Sequence, residues 1–180
     1  MPMGTDVLDA AGMKRTLGRM AHEILEANSG SEDLVVVGVL RRGYPLAKRL
    51  AFAMTQIEGT TIPCGKLDVT ASRDDDRVAA EDETEIPFAI TDRTVILVDE
   101  VVFTGRTVRA ALDALLAQGR PAAVRLAVLV DRGHRELPIQ PDFVGRTVET
   151  GMDERVVVRF HEFDGEDSVT LEPTPEAVHG

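Results

Sequence analysis

The sequence lacks the features that would place the protein outside the cytoplasm. It has one cysteine in 180 residues, Cys64, which cannot form an internal disulfide, so nothing in the chain requires an oxidising compartment. The first residues, MPMGTDVLDA, contain neither the basic stretch nor the apolar core of a signal peptide. No apolar run approaches the roughly 18 residues that span a membrane. We therefore expect a cytoplasmic protein that makes no membrane contact.

Positive charge is also scarce. The chain carries 20 lysine and arginine residues against 31 aspartate and glutamate residues, which gives a formal net charge of −11 at pH 7. Negative charge repels the phosphate backbone of nucleic acids, which argues against a protein that binds them indiscriminately. This net charge is still compatible with one localised basic surface.

What the sequence does contain is an alternation of apolar strands and amphipathic helices. The length suits one α/β domain, and 43% apolar with 28% charged residues is ordinary for a globular protein. The alternation predicts a doubly wound, mostly parallel sheet with helices on both faces. The predicted helices are Asp9 (as the cap) to Glu26, Pro45 to Met54 and Thr107 to Gln118; the predicted strands are Leu34 to Leu40, Ile62 to Val69, Val95 to Val98, Val124 to Val130 and, as the last, Arg155 to Phe160.

The stretch VILVDEVVFTGRT, Val95 to Thr107, places two acids beside a loop suited to an anion. Asp99 and Glu100 follow a predicted buried strand, at the sheet edge where such folds bind ligands. Gly105 lets backbone amides at the next helix start approach a phosphate, while carboxylates suit sugar hydroxyls. A bare TGRT would favour an ordinary capped turn with incidental acids. The strand, the acid pair and the helix start together favour a sugar phosphate as the ligand.

This stretch resembles the motif with which type I phosphoribosyltransferases bind 5-phosphoribosyl-1-pyrophosphate (PRPP). The motif by itself indicates only that superfamily. LAVLVDRGHRELP, Leu126 to Pro138, is more specific, because it resembles the PyrR family of pyrimidine operon regulators and uracil phosphoribosyltransferases. The similarity runs in order from about Asp9 to Val169 and includes RMAHE at 19–23, GRTVRAALDAL at 105–115 and PDFVGR at 141–146.

The resemblance implies a fold, a reaction and a set of site residues. The fold is that of a type I phosphoribosyltransferase, one domain over residues 1–180 with a mobile loop at about 70–85 and a small hood formed by about 131–160. The reaction joins uracil to PRPP and gives UMP and diphosphate, with Mg²⁺ bound through PRPP and no metal-ligating residue assigned. The implied catalytic residues are Asp99, Glu100 and Arg73. The implied substrate-binding residues are Arg41, Arg42, Val101, Val102, Phe103, Thr104, Gly105, Arg106, Thr107, Arg132 and Val156.

Two of these segments have plainer interpretations. By residue type, GVLRRGYP, Gly38 to Pro45, is as well explained by a solvated basic turn as by a diphosphate loop, and the resemblance favours the loop. The polar segment Thr70 to Glu85 has the composition of a disordered surface loop. The resemblance implies instead a loop that closes over the substrate and brings Arg73 to the pyrophosphate. Ser72 stands where relatives often have an aromatic residue, and this difference counts against a high catalytic rate.

The first predicted helix carries a possible second function. Its residues Arg15, Arg19, His22 and Glu26 share a face opposite the apolar one, and a solvated face is the default interpretation. The PyrR resemblance implies that a basic surface of a homodimer or higher homo-oligomer binds the mRNA leader of pyrimidine genes. His134 is explained equally well as a surface histidine. The candidate RNA contacts are Arg15, Arg19, His22, His134 and Arg146.

Three functions remain open at this point. The first is a bifunctional protein, a uracil phosphoribosyltransferase that also regulates genes through UMP-dependent RNA binding. The second is an RNA-binding regulator with little catalysis, an interpretation to which Ser72 gives weight. The third is a purine phosphoribosyltransferase without an RNA role. The DRGHRELP stretch favours the first two over the third.

Overall fold

A computed structural model describes residues 4–70 and 81–175 of the chain. No helix within these two ranges is both long and apolar enough to cross a membrane. The elements in chain order are β1 (Thr5–Leu8), α1 (Ala10–Ala27), β2 (Leu34–Val39), α2 (Gly43–Glu58), β3 (Cys64–Leu67), β4 (Thr94–Val102), α3 (Arg106–Leu116), β5 (Ala123–Asp131), β6 (Phe143–Thr147), β7 (Glu154–Arg159), α4 (His161–Asp164) and β8 (Ser168–Pro173).

Five strands form one parallel sheet in the order β3-β2-β4-β5-β6. Successive side chains of a strand point to opposite faces of its sheet. Val36 and Ile96 accordingly pack with α1 and α2 on one face, whereas Val37 and Leu97 pack with α3 on the other. Helices on both faces of a parallel sheet confirm the predicted doubly wound architecture.

Three further strands form a separate antiparallel sheet in the order β1-β8-β7. Phe160, which directly follows β7, is fully buried in the core cluster that contains α1 and α2. The small sheet is therefore packed onto the main domain, and we propose that it forms the hood. Of the segment 131–160 in which we expected the hood, only the β7 part belongs to this sheet, since β6 is the edge strand of the main sheet.

The strand predictions are right for the central strands and incomplete at the periphery. Leu34 to Leu40 and Val124 to Val130 correspond to β2 and β5, and Ile62 to Val69 shortens to β3. Arg155 to Phe160 corresponds to β7, but it is not the last strand, because β8 follows it in the acidic tail. The unpredicted strands β1, β6 and β8 have four to six residues and only a few buried positions, so they lack the continuous apolar run that identifies a core strand.

The helix predictions hold, with shifted ends. The Asp9 carboxylate accepts a 2.7 Å hydrogen bond from the Gly12 amide, which makes Asp9 the N-cap of α1 as predicted. The apolar face predicted for α1 is buried. The second helix begins at Gly43, so Pro45 lies in its first turn, where a proline costs no hydrogen bond. It ends at Glu58, beyond its predicted end.

The fold brings the carboxyl ends of the parallel strands together at one edge of the sheet. The strand predicted over Val95 to Val98 is longer, because β4 keeps pairing with β5 as far as Val102 and Asp131. The acid pair at 99 and 100 therefore lies inside β4 and not after it. The segments that follow β2, β4 and β5 meet at this edge, which is where ligands bind in such sheets.

Candidate active site

The acid pair is fixed by the end of β4. Asp99 is 4% exposed and is paired in register with Val128 of β5. Its Oδ1 atom accepts a 2.8 Å hydrogen bond from the backbone N–H of Glu100. A Cβ atom added at Gly43 would lie 2.6 Å from the carbonyl oxygen of Val98 and 3.1 Å from the Cα of Asp99. Only glycine at this position lets α2 begin so close to the acid pair.

A cavity of about 330 Å³ opens beside Glu100. Small-molecule sites typically have volumes of about 300 to 1,000 Å³, so this cavity suits a small ring. Burial raises the pKa of Glu100 above the ordinary value of a glutamate, and the neighbouring Asp99 and Arg42 offset part of that rise. The cavity is lined by Arg42, Glu100, Val101, Arg155, Val156, Val157, Val158, Arg159 and Asp164.

One wall of this cavity is the backbone of β7. Five consecutive residues, 155–159, line it, and since side chains alternate along a strand, the cavity must meet the strand edge itself. Among the strands of the described residues, β7 pairs with β8 alone, which makes it an edge strand. One backbone group of β7, the Val158 carbonyl oxygen, accepts a hydrogen bond from Arg42 Nη1 at 3.3 Å. Val156, a predicted substrate contact, lies in this wall.

A second, smaller cavity of about 100 Å³ lies inside the turn from β4 to α3. Gly105 is the N-cap of α3 with φ of 94°, a left-handed conformation that glycine adopts without strain. The Thr104 hydroxyl accepts a 3.2 Å hydrogen bond from the Arg106 amide. Backbone amides at a helix start attract anions, so the turn suits a phosphate. The two cavities share Val101, and the smaller is lined by Val101, Val102, Phe103, Thr104, Gly105, Thr107 and Val108.

The two arginines of the predicted diphosphate loop lie at opposite sides of the turn from β2 to α2, which contains a cis peptide between Leu40 and Arg41. Arg42 donates to the Asp164 carboxylate at 2.5 and 3.2 Å, and its guanidinium lies 5.4 Å from the centre of the Phe163 ring. The hydrogen bond from Arg42 to Asp164 raises the pKa of the arginine. An acid from α4 thus neutralises the cation that we expected to meet diphosphate.

Arg41 forms an exposed ion pair with Glu83. The two residues line a cavity of about 190 Å³ together with Leu40, Asp68, Val69 and Thr70. The Asp68 carboxylate accepts hydrogen bonds from the Thr70 amide at 3.0 Å and the Glu83 amide at 3.1 Å, so it ties together the two flanks of the predicted mobile loop. Arg73, the third predicted catalytic residue, lies outside the described residues.

The DRGHRELP segment begins at the last residue of β5 and packs against the turn from β4 to α3, residues 103–105, which we call the phosphate turn after its predicted ligand. The Arg132 guanidinium lies 3.9 Å from the centre of the Phe103 ring, and His134 packs on the same ring edge-on at 5.8 Å. Arg132 is 7% exposed and donates to the carbonyl oxygens of Gly151 at 3.2 Å and Glu154 at 2.9 Å. Burial lowers the pKa of Arg132. Arg132 therefore packs against Phe103 and supports the turn that we expect to bind phosphate.

The candidate RNA residues divide into two places. Arg15, Arg19 and His22 are exposed on α1, as predicted from their spacing. Arg146 of β6 is also exposed, and it lines the same large cavity as Arg15, of about 800 Å³. Arg19 also donates to the carbonyl oxygen of Gly145 at 2.6 Å. The α1 face and β6 thus form one continuous surface, whereas His134 lies apart from it, with its Nε2 atom 2.6 Å from the Thr150 carbonyl oxygen.

Two residues of the site were not predicted. Asp164 contacts Arg42 across 122 residues of sequence, and no local pattern in the acidic tail indicates that contact. Arg135 lies within DRGHRELP, but its side chain reaches the carbonyl oxygen of Phe103 in the phosphate turn at 3.0 Å. The sequence resemblance concerns the DRGHRELP segment as a whole, and it does not indicate which of its side chains makes the contact.

Comparisons with known proteins agree with this geometry. A family model described as "Phosphoribosyl transferase domain" matches residues 3–162. "Bifunctional protein PyrR" of Pelotomaculum thermopropionicum is 52% identical over 174 residues, covering 94% of this chain and 96% of that protein. "Bifunctional protein PyrR" of Chloroflexus aurantiacus is 54% identical over 169 residues, covering 92% and 93%.

Solved structures give the same fold at lower identity. The hypoxanthine phosphoribosyltransferase of Trypanosoma cruzi superposes with a TM-score of 0.72 at 18% identity, covering 94% of this chain and 97% of that one. A hypoxanthine phosphoribosyltransferase of Staphylococcus aureus superposes with a TM-score of 0.71 at 17% identity, covering 96% and 93%. At such identities the likeness concerns the fold alone.

Proposed function

The chain belongs to the phosphoribosyl transferase domain family and, within it, to the bifunctional PyrR proteins, and from this membership we propose that it joins uracil to PRPP, giving UMP and diphosphate. One observation carries the proposal: two cavities, one beside Glu100 and one inside the phosphate turn, share Val101 in their linings. A ribose 5-phosphate lying across Val101 has its hydroxyls beside the acids and its phosphate in the turn. The PyrR relatives, each more than half identical to the chain, favour this reaction over the purine alternative.

The acid pair acts through charge. The bond between C1′ of the ribose and the diphosphate oxygen breaks and positive charge develops on the ring. N1 of uracil then forms the new bond to C1′, and its proton passes to the departing diphosphate. Carboxylates held at the end of β4 stabilise that charge without having to reorganise. The mechanism requires no nucleophilic side chain. Burial raises the pKa of the Cys64 thiol to about 11, so this thiol is protonated at neutral pH and does not compete for the role.

Uracil is read by the edge of β7. A pyrimidine with adjacent N–H and C=O groups can hydrogen-bond to an exposed strand edge as another strand would. The cavity wall at 155–159 offers such an edge, and Val156 lies within it. Recognition through backbone groups explains why the side chains of this strand contain no obvious signal for a base.

The diphosphate of PRPP binds the turn before α2. Its charge competes with Asp164 for Arg42 and with Glu83 for Arg41, so each arginine exchanges a carboxylate for a phosphate oxygen. Arg73, which lies outside the described residues, is the proposed further contact of the diphosphate, as the family resemblance implies.

Magnesium enters as part of the substrate. Mg²⁺ in phosphate sites takes one or two carboxylates from the protein and its other ligands from phosphates and water. Asp99 and Glu100 are adjacent carboxylates next to the site, and they fit that limited requirement. Within 4–70 and 81–175, no group of three or more His, Cys, Asp or Glu side chains is arranged to hold a metal ion. When bound, the ion neutralises charge on the leaving diphosphate.

The second activity is regulation through RNA. The surface formed by Arg15, Arg19, His22 and Arg146 is the proposed contact for the mRNA leader of pyrimidine genes. The negative net charge of the chain argues against RNA binding over the whole surface and favours one localised contact through these cations. UMP strengthens RNA binding if nucleotide and RNA favour the same state, and linkage then requires RNA to strengthen UMP binding equally. The proposed setting is the cytoplasm, and the proposed assembly is a homodimer or higher homo-oligomer.

A mixture of bases tests the reaction. We expect the protein, with PRPP and Mg²⁺, to convert uracil to UMP in the presence of equal concentrations of guanine and hypoxanthine, and to stop when the metal is chelated. Chromatography of the nucleotides gives the products. Formation of GMP or IMP without UMP would show that the chain is a purine enzyme.

A further inference from the structure

The DRGHRELP segment holds the phosphate turn by its carbonyl groups. Arg135 donates from Nη1 to the carbonyl oxygen of Phe103 at 3.0 Å. The backbone amides of Glu136 and Leu137 both donate to the carbonyl oxygen of Thr104, at 2.9 and 3.1 Å. Two consecutive carbonyl groups of the turn therefore point towards the segment after β5.

The opposite ends of the same peptide units point away from that segment. In a trans peptide the N–H and C=O groups point in opposite directions. The Phe103 carbonyl shares its peptide unit with the Thr104 amide, and the Thr104 carbonyl shares its unit with the Gly105 amide. Neither bond is among the cis peptides of the described chain. The amides of Thr104 and Gly105 are consequently directed away from Arg135.

The small cavity lies on that far side. Within residues 4–70 and 81–175, its lining comes only from β4, the turn and α3, and from none of the DRGHRELP residues. The amides of Thr104 and Gly105 are thus directed to the side of the turn on which the cavity lies. Backbone amides directed at one point form the kind of nest that binds a phosphate.

Arg135 is itself held in place. Its Nη2 atom lies 2.7 Å from Asp131 Oδ2, in a pair whose side chains are 18% and 11% exposed, and its Nε atom donates to the Ile139 carbonyl oxygen at 2.7 Å. Burial alone would raise the pKa of Asp131, but hydrogen bonds from Arg135 and from the Gly133 amide bring it below its ordinary value. The pair therefore stays ionised at neutral pH, and all three donor nitrogens of the guanidinium are used.

We propose that Arg135 is a positioning residue for the 5′-phosphate: anchored by Asp131, it fixes the phosphate turn so that the Thr104 and Gly105 amides point at the phosphate before it binds. Arg135 does not contact the substrate. The inference rests on the proposed function in that the ligand is the phosphate of a ribose 5-phosphate. Preorganised donors lose less entropy on binding, so the effect is on affinity for this one phosphate.

Calorimetric titration with two ligands tests the inference. Ribose 5-phosphate carries the phosphate of the turn, and inorganic pyrophosphate with Mg²⁺ carries the groups of the other loop. In Arg135→Gln we expect the affinity for ribose 5-phosphate to fall about 10- to 100-fold, the equivalent of about one hydrogen bond to a charged group, and that for pyrophosphate to stay within about threefold. Arg135→Lys keeps the charge beside Asp131 but cannot donate to both carbonyls, so its loss is intermediate. The control is Arg125→Gln, which removes an exposed arginine from β5, the strand that precedes the segment, and leaves both affinities unchanged.

The outcomes separate the inference from the proposed function. Equal losses for both ligands, or none in a folded Arg135→Gln protein, would overturn the positioning role. If Arg135→Gln fails to fold, the same selective loss in Arg135→Lys decides the question. A wild-type protein that forms no UMP yet binds ribose 5-phosphate in an Arg135-dependent way would sustain the inference and refute the proposed reaction. A wild-type protein that does not bind ribose 5-phosphate would refute both.

Discussion

Replacing Glu100 by glutamine is expected to lower kcat/KM for PRPP by about 10²- to 10³-fold, the size of effect found when one preorganised electrostatic group is removed from an active site. Glutamine keeps the shape and hydrogen-bonding capacity of the side chain but removes the charge next to C1′. Because the charge matters most in the transition state, we expect the loss mainly in kcat. Initial rates of UMP formation over a range of PRPP concentrations give both constants.

The pH dependence of the same variant provides a second test. Burial raises the pKa of Glu100, so on acidification the carboxylate becomes protonated, and the rate declines, at a higher pH than it would for an ordinary glutamate. The acid limb of the wild-type profile should be missing in Glu100→Gln. Glu58→Gln, which changes an exposed glutamate at the end of α2, is the matched control and should behave as wild type. A folded Glu100→Gln protein with wild-type kcat/KM would remove Glu100 from the mechanism.

Reversing two charges on the proposed RNA surface is expected to lower affinity for the pyrimidine leader RNA by about 100-fold or more. Binding is driven by the release of counterions from the RNA phosphates. A phosphate that the protein no longer neutralises keeps its counterion and contributes nothing. The variant is Arg15→Glu with Arg146→Glu, two exposed residues that line one cavity. Arg19 is a poorer choice, because its bond to the Gly145 carbonyl also holds α1 against β6. Filter binding at several salt concentrations, with and without UMP, measures the affinity and its salt slope.

The control for that experiment has the same change in net charge elsewhere. Arg120→Glu with Arg125→Glu alters two exposed arginines near the start of β5. It should bind the leader RNA nearly as well as wild type, and both double variants should form UMP at the wild-type rate. Equal decreases in affinity for the two double variants would indicate a general effect of charge. Unchanged binding in Arg15→Glu with Arg146→Glu would move the RNA surface elsewhere on the protein.

The parts of the fold that could be predicted from the sequence are those with a strong local pattern. The apolar runs of β2 and β5 and the apolar face of α1 have one physical cause, burial, and each produces a regular spacing of residues. The acid pair followed by TGRT was informative because it joins a strand end to a helix start within a few residues. The strand boundary was missed because Asp99 and Glu100 are charged, yet they continue the pairing of β4 with β5.

Contacts between distant segments could not be predicted in the same way. The Arg42–Asp164 pair joins the turn after β2 to α4, and the Arg135 contact joins the segment after β5 to the turn after β4. Neither pair has a spacing or composition that identifies its partner, because such contacts depend on the order of strands in the sheet. The small antiparallel sheet has the same origin, since it pairs β1 from the start of the chain with β8 from its end.

The most direct test of the central claim is a ³¹P NMR time course of the wild-type protein with PRPP, Mg²⁺ and uracil. Phosphoribosyl transfer predicts that the PRPP signals are replaced by those of UMP and free diphosphate in equal amounts, and that omission of uracil leaves PRPP intact. If PRPP is instead cleaved to ribose 5-phosphate and diphosphate at the same rate with and without uracil, or is not consumed at all, the site does not transfer the phosphoribosyl group to uracil.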